Sequence, residues 1–330
     1  MAANQSVYDV ISVGIAAVDD ILTVSAYPSA GAKVPVLDSA RHGGGLACTA
    51  IAAAAVLGGR SAFIARLGDD ELSRYIRGIL VHRGVDVSHI ISDPVGQPYH
   101  SRIIIDRNSG ERTIFYDLSR FKPVQAADIP EALLASTRVL LVDFLNPPSP
   151  LELILKTRQL HVPVVLDIEG QSTESAPLME QVDHLVVPEE FARWSTGVDD
   201  LKTACAALAR TPRAATVVTA GAAGCWWTDS PDRPPTHLPA FAVRAVNTNG
   251  CGDTYHGAYA LAIARQFSIM EAVTFASACA ALKAAGPGGG WDSLPTTAAV
   301  IQMLRQQLAP DDTQCKLIAK LEHFRPTQNV

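Results

Sequence analysis

A chain of 330 residues, 48% hydrophobic and 18% charged, has the composition of a globular protein, long enough for one large α/β domain with an appendage or for two domains. Its formal net charge of −6 argues against nucleic acid or an anionic membrane as a partner. Six cysteines scattered without a C-x-x-C spacing argue against a disulfide frame or a zinc site, and no metal-ligating set is expected.

The first nine residues lack the basic and apolar regions of a secretory signal. The longest apolar run, Leu46 to Leu57, falls short of the roughly 20 residues a membrane span requires. A cytoplasmic protein with no membrane partner is the expectation.

In chain order, Tyr8 to Val13 reads as a buried strand ending at Gly14. Asp19 and Asp20 follow, then a β-rich stretch over 21–41. Gly43, Gly44 and Gly45 break the pattern ahead of a small-residue helix, Leu46 to Leu57. Ser61 to Leu67 is the next strand, and Glu71 to His82 has the period of an amphipathic helix. Ser101 to Asp106 and Arg112 to Asp117 flank Asn108-Ser109-Gly110-Glu111, a hairpin turn. From Ala132 the rhythm is strand, helix, strand, with strands at Val139–Phe144, Val162–Asp167, His184–Val187 and Ala215–Thr219. Such alternation predicts a mainly parallel sheet covered by helices on both faces. A short strand over Phe241–Val246 and helices over Thr254–Arg265, Ile269–Ala285 and Thr296–Leu308 complete the pattern, with a frayed tail over 325–330. The two β excursions, 21–41 and 97–120, are expected to pair as one small sheet forming a lid over 1–20, 42–96 and 121–330.

The most informative stretch is Val246-Asn247-Thr248-Asn249-Gly250-Cys251-Gly252-Asp253. A strand, a glycine turn and an aspartate opening a helix place unpaired backbone N–H groups and one carboxylate side by side. An anion site beside a proton acceptor points to transfer of a phosphoryl group onto a hydroxyl.

These residues resemble the ribokinase-like (PfkB-type) carbohydrate kinases over nearly the full chain. Asn247 to Asp253 is similar to the family's D-T-x-G-A-G-D box, and Gly43-Gly44-Gly45 followed by Arg66-Leu67-Gly68-Asp69-Asp70 to its N-terminal signature. Val217-Val218-Thr219-Ala220-Gly221-Ala222-Ala223-Gly224 is similar to its strand ending in T-x-G-x-x-G. The resemblance implies a three-layer α/β/α domain with a β lid, ATP-dependent phosphorylation of a sugar-like hydroxyl, and Mg2+ bridging the nucleotide phosphates. It makes Asp253 the base, ionised at neutral pH as an unperturbed aspartate of pKa about 3.9 would be. The backbone of Gly250, Cys251 and Gly252 becomes the anion hole. Asp19, Gly44, Gly45 and Cys48 fall where relatives bind substrate, with Arg112 a candidate for an anionic sugar. Thr219, Gly221, Gly224, Ser277 and Glu189 fall on the nucleotide side. A homodimer pairing its lids is expected as well.

The chain departs from the pattern in three places. Cys48 stands where an asparagine is usual, and Glu189 stands in an altered N-x-x-E segment. Asn247 replaces the aspartate of a monovalent-cation loop that includes the segment Ala284 to Gly290, which predicts little potassium dependence. A nucleoside kinase and a non-catalytic sugar sensor are the alternatives. His256 is expected to pack or be solvated on its helix.

Overall fold

The computed structural model describes residues 7–145, 149–287, 290–308 and 312–323, and the expected frayed tail lies outside them. A nine-stranded sheet runs in the order Thr236–Leu238, Cys225–Thr228, Ala215–Thr219, His184–Pro188, Val164–Ile168, Thr137–Phe144, Tyr8–Val13, Ser61–Ile64, Val85–Asp86. All its pairings are parallel except the two made by Cys225–Thr228.

Strand periodicity explains the layers. Val10 enters one core cluster and Ile11 the other; Leu141 and Leu140 divide in the same way. Alternate side chains of each strand thus feed opposite faces. One face carries helices Leu46–Val56, Cys251–Ala264, Ile269–Ala285 and Thr297–Gln307, the other Leu151–Gln159, Ser175–Gln181, Glu189–Thr196 and Leu201–Leu208. The result is the expected three-layer α/β/α domain. No described helix is long and apolar enough to cross a membrane.

A separate four-stranded sheet has the order Asp38–Gly44, Ala17–Val24, Tyr99–Asp106, Arg112–Asp117. Ala17–Val24 pairs antiparallel with Asp38–Gly44 and parallel with Tyr99–Asp106. The two β excursions therefore do form one sheet. It opens at Ala17 rather than 21 and closes at Gly44 rather than 41. It consequently includes Asp19 and the glycines.

Three local expectations need correction. Ser61 to Leu67 is not one strand: Ser61–Ile64 joins the large sheet, while Arg66–Leu67 pairs with Ile91–Ser92. Phe241 to Val246 is not a strand, because its polar groups bond elsewhere. The Ala242 N–H donates to Gln307 Oε1 at 2.8 Å, Gln307 Nε2 donates to the Ala242 carbonyl at 2.9 Å, and the Val246 N–H donates to the Ala284 carbonyl at 2.7 Å. Finally, the helix expected from Thr254 starts three residues earlier, at Cys251.

Candidate active site

Gly250 is the N-cap of helix Cys251–Ala264 and has φ 72°, a left-handed conformation that favours glycine. That turn aims the helix N-terminus outward. The N–H of Thr254 is satisfied by the Gly250 carbonyl at 3.0 Å and that of Cys251 by Thr248 at 3.3 Å. The N–H groups of Gly250, Gly252 and Asp253 have no hydrogen-bond partner among the described residues. The donor set is therefore shifted from the expected Gly250, Cys251 and Gly252, because the helix begins at Cys251.

These groups open into a cavity of about 420 Å³ between the small sheet and the large domain. Asp19, Gly44, Gly45, Arg112, Gly250, Gly252 and Asp253 all line it. Asp19 reaches it because strand neighbours alternate faces. The next residue, Asp20, points to the opposite face and is held by Arg41 at 2.5 Å and His100 at 2.7 Å. Asp19 faces Ser101, which hydrogen-bonds it, and burial raises its pKa. A side chain at position 44 would collide with Asp19, since a Cβ there would lie 2.6 Å from Asp19 Oδ2.

Asp143, which the sequence reading did not single out, fixes this end. Its Oδ2 accepts from the N–H of Ile15 and of Ala47, both at 2.9 Å, so one buried carboxylate ties the loop after Tyr8–Val13 to the start of helix Leu46–Val56. Burial pushes its pKa up to about 6 despite those two donors.

Asp253 lines the same cavity. Burial raises its pKa well above the usual carboxylate range, and the charges of Asp167, Glu169 and Asp143 push the same way, while Lys283 opposes them. This corrects the expectation of an ordinary ionised aspartate: here the carboxyl holds its proton to higher pH. A carboxylate whose pKa is raised takes up a proton more readily than a solvated one.

Other residues fall elsewhere. Cys48 is fully buried and does not line the cavity; Thr49, one position on, does, and accepts a hydrogen bond from Trp291 Nε1 at 3.1 Å. The helical step of 100° per residue turns Cys48 into the core. The Cys251 side chain is also outside the lining residues. Glu189 pairs with Arg193 at 2.7 Å on its own helix. Thr219, Gly221, Gly224 and Ser277 lie outside the cavity. Thr219 ends strand Ala215–Thr219, Gly221 and Gly224 belong to the turn that follows, and Ser277 Oγ lies 3.8 Å from Cys225 Sγ on the strand after that turn. They gather near the carboxyl ends of the parallel strands, where open α/β sheets bind ligands.

Of the four arginines near the second excursion, Arg112 faces the cavity and donates from Nη1 to Asn249 Oδ1 at 3.0 Å, joining the small sheet to the glycine turn. Asn247 Oδ1 is occupied by the Asn249 N–H at 2.9 Å. His256 packs as expected, buried with Nδ1 2.9 Å from the Gly252 carbonyl and Nε2 3.0 Å from that of Val186.

Among the cavity residues that escaped the sequence reading are two charged ones. Glu169 follows strand Val164–Ile168, and its signal was an acid just past the carboxyl end of a buried strand. Lys283 is a buried lysine in the alanine-rich helix Ile269–Ala285, and its signal was a lone cation in an otherwise apolar run.

The family model for "pfkB family carbohydrate kinase" matches residues 8–297. The chain is 24% identical to ketohexokinase from Mus musculus over 281 residues, covering 81% of this chain and 92% of that protein. It is 28% identical to ribokinase from Haemophilus influenzae over 274 residues, covering 79% and 87%. The structure of Arabidopsis thaliana ribokinase complexed with ribose and ATP superposes with a TM-score of 0.79 at 21% identity, over 89% of this chain and 97% of that one.

Proposed function

The chain belongs to the pfkB family of carbohydrate kinases, and from that premise we propose that it transfers the terminal phosphoryl group of ATP to a hydroxyl of a sugar, with Asp253 as general base. One observation carries this reading: a single cavity is lined by Asp19 and the paired glycines together with Asp253 and the free helix N-terminal amides beside it.

Each part has a physical role in that chemistry. Asp19 accepts hydrogen bonds from sugar hydroxyls, and Gly44 leaves room for the ring beside it. Asp253 takes the proton of the attacking hydroxyl as the new P–O bond forms. The transferred group carries its charge on equatorial oxygens, so pre-aimed N–H donors at Gly250, Gly252 and Asp253 stabilise it without reorganising. Thr219, Gly221, Gly224 and Ser277 hold the nucleotide, whose phosphates point back to the turn. The donor set fits phosphate, being unpaired amides at a helix start. Magnesium would take its ligands mainly from phosphates and water, with Glu169 the cavity carboxylate open to that water shell. The small sheet is then a lid, and Arg112 links it to the turn through Asn249.

The testing experiment is ADP release in a coupled assay with ATP and Mg2+ across aldoses, ketoses, sugar acids, sugar phosphates and nucleosides. Turnover on a sugar supports the reading. Turnover on nucleosides alone replaces it with a nucleoside kinase, and turnover on none overturns it. On the active acceptor, Asp19→Asn is expected to raise the sugar KM by roughly 10- to 100-fold, the worth of hydrogen bonds to a charged group. A KM that stays at the wild-type value would remove Asp19 from the sugar site.

The dimer expected from sequence has a candidate surface. Leu22 and Phe115 lie on the face of the small sheet turned away from the cavity and are 36% and 51% exposed. Two lids meeting there would bury an apolar patch at a sheet surface otherwise left to water. Phe115→Asp is expected to convert a dimer to a monomer in analytical ultracentrifugation, and a monomeric wild-type protein would refute the assembly.

A further inference from the structure

Lys283 is 1% exposed, yet it enters no ion pair among the described residues. Its Nζ donates to the Asn249 carbonyl at 2.8 Å, and it lines the same cavity as Asp253. An ammonium has three donors, and among the described residues this single bond leaves two unused. Taking such a charge out of water is unfavourable unless a counter-charge meets it. The surrounding helix offers no reason for a charge, since its neighbours are alanines and a leucine that pack into the core.

The place where the ammonium arm ends is specific. A Cβ built on Gly250 would lie 3.7 Å from Lys283 Cε and 3.8 Å from Asp253 Oδ2. The cationic arm, the carboxylate and the glycine turn with its free amides thus converge on one point. The turn itself contributes no formal negative charge, because position 247 is asparagine and its Oδ1 is used by the Asn249 N–H. Burial lowers the Lys283 pKa, while the Cys251 and Asp253 side chains work in the opposite direction.

We propose that Lys283 is a further catalytic residue of this site, whose ammonium meets the charge of the phosphoryl group in transit. The missing counter-charge of the buried lysine is supplied by the substrate itself. The cation completes the half-shell of N–H donors from the side of helix Ile269–Ala285. It also works against the neighbouring acids Asp167, Glu169 and Asp143, which push the Asp253 pKa up. No bond is made or broken by Lys283: the sugar oxygen bonds the γ-phosphorus as the bond to the β,γ-bridging oxygen breaks, ADP leaves with that electron pair, the hydroxyl proton goes to Asp253, and the ammonium keeps its protons throughout.

This inference rests on the kinase reading, so the wild-type enzyme is assayed first. Absence of turnover on every acceptor removes that reading, whereas an active wild type together with a fully active Lys283 variant removes the lysine alone. Lys283→Met, which keeps the length of the side chain, is expected to lose about 10²- to 10³-fold in kcat, the range for deleting one pre-aimed donor at a developing charge. The sugar KM should change by less than about threefold, because the interaction belongs to the transition state. A kcat within about tenfold of wild type overturns the proposal, as does a loss confined to KM. A drop in kcat at an unchanged melting temperature supports it. If the melting temperature falls as well, Lys283→Ala decides: saturable recovery of kcat with added ammonium or methylammonium supports the charge role, and no recovery overturns it.

Discussion

Asp253→Asn is expected to lower kcat by about 10³-fold or more, toward the upper end of the range ascribed to a positioned general base. Asparagine has nearly the same shape and can occupy the same third position of helix Cys251–Ala264, so the free amides and the glycine turn remain. What it lacks is the ability to take a proton. Nucleotide binding, followed by calorimetry, should therefore persist while turnover disappears.

The same residue sets the pH dependence. The base acts in its deprotonated form, and burial with Asp167, Glu169 and Asp143 nearby holds its pKa above the ordinary range. Activity should thus rise with pH through that raised value, with the acid limb lying well above the pKa of about 3.9 of a solvated aspartate. An asparagine variant retaining more than a tenth of wild-type kcat would take the base role away from Asp253.

The second large effect concerns the platform under the site. Helices Leu46–Val56 and Cys251–Ala264 pack with backbone almost in contact at Gly257, where an added Cβ would fall 2.0 Å from the Ala50 carbonyl oxygen and 2.7 Å from its carbon. Backbone atoms cannot swing aside as a side-chain tip can. Around this contact both helices present alanines, including Ala50, Ala53, Ala54, Ala258 and Ala260, all of them fully buried. Gly257→Val must separate the two helices, and overpacking on that scale costs about 3 kcal/mol or more. The melting temperature should fall by about 4 °C or more. Turnover should fall with it, because one helix starts beside Gly45 and the other beside Gly250, both of which line the cavity. A valine variant that melts at the wild-type temperature would show that the two helices tolerate a wider spacing.

Much of the site was legible because it is local. Gly250, Gly252 and Asp253 are consecutive or nearly so, and a glycine turn running straight into a helix leaves unpaired amides beside a carboxylate without any distant contact. The helix start was misjudged by three residues, since nothing local distinguishes a helix whose first turn contains glycine from a longer loop. Cys48 shows the limit from another side. Its place in the chain matched a substrate-binding position, but helix rotation about one residue decided that Thr49 and not Cys48 would face the cavity. Phe241 to Val246 had the composition of a strand and lost that structure to Gln307, a partner 65 residues away.

By itself the sequence determined the α/β alternation, the two excursions that form the small sheet, and the turn at Gly250, because periodicity and turn chemistry act over a few residues. Tertiary structure alone decided which of Asp19 and Asp20 enters the cavity. It also brought Glu169 and Lys283 to Asp253 and raised the pKa of that carboxylate. Those outcomes depend on burial and on charges contributed by separate strands and helices. Such quantities exist only once the layers have packed, and no stretch of sequence contains them.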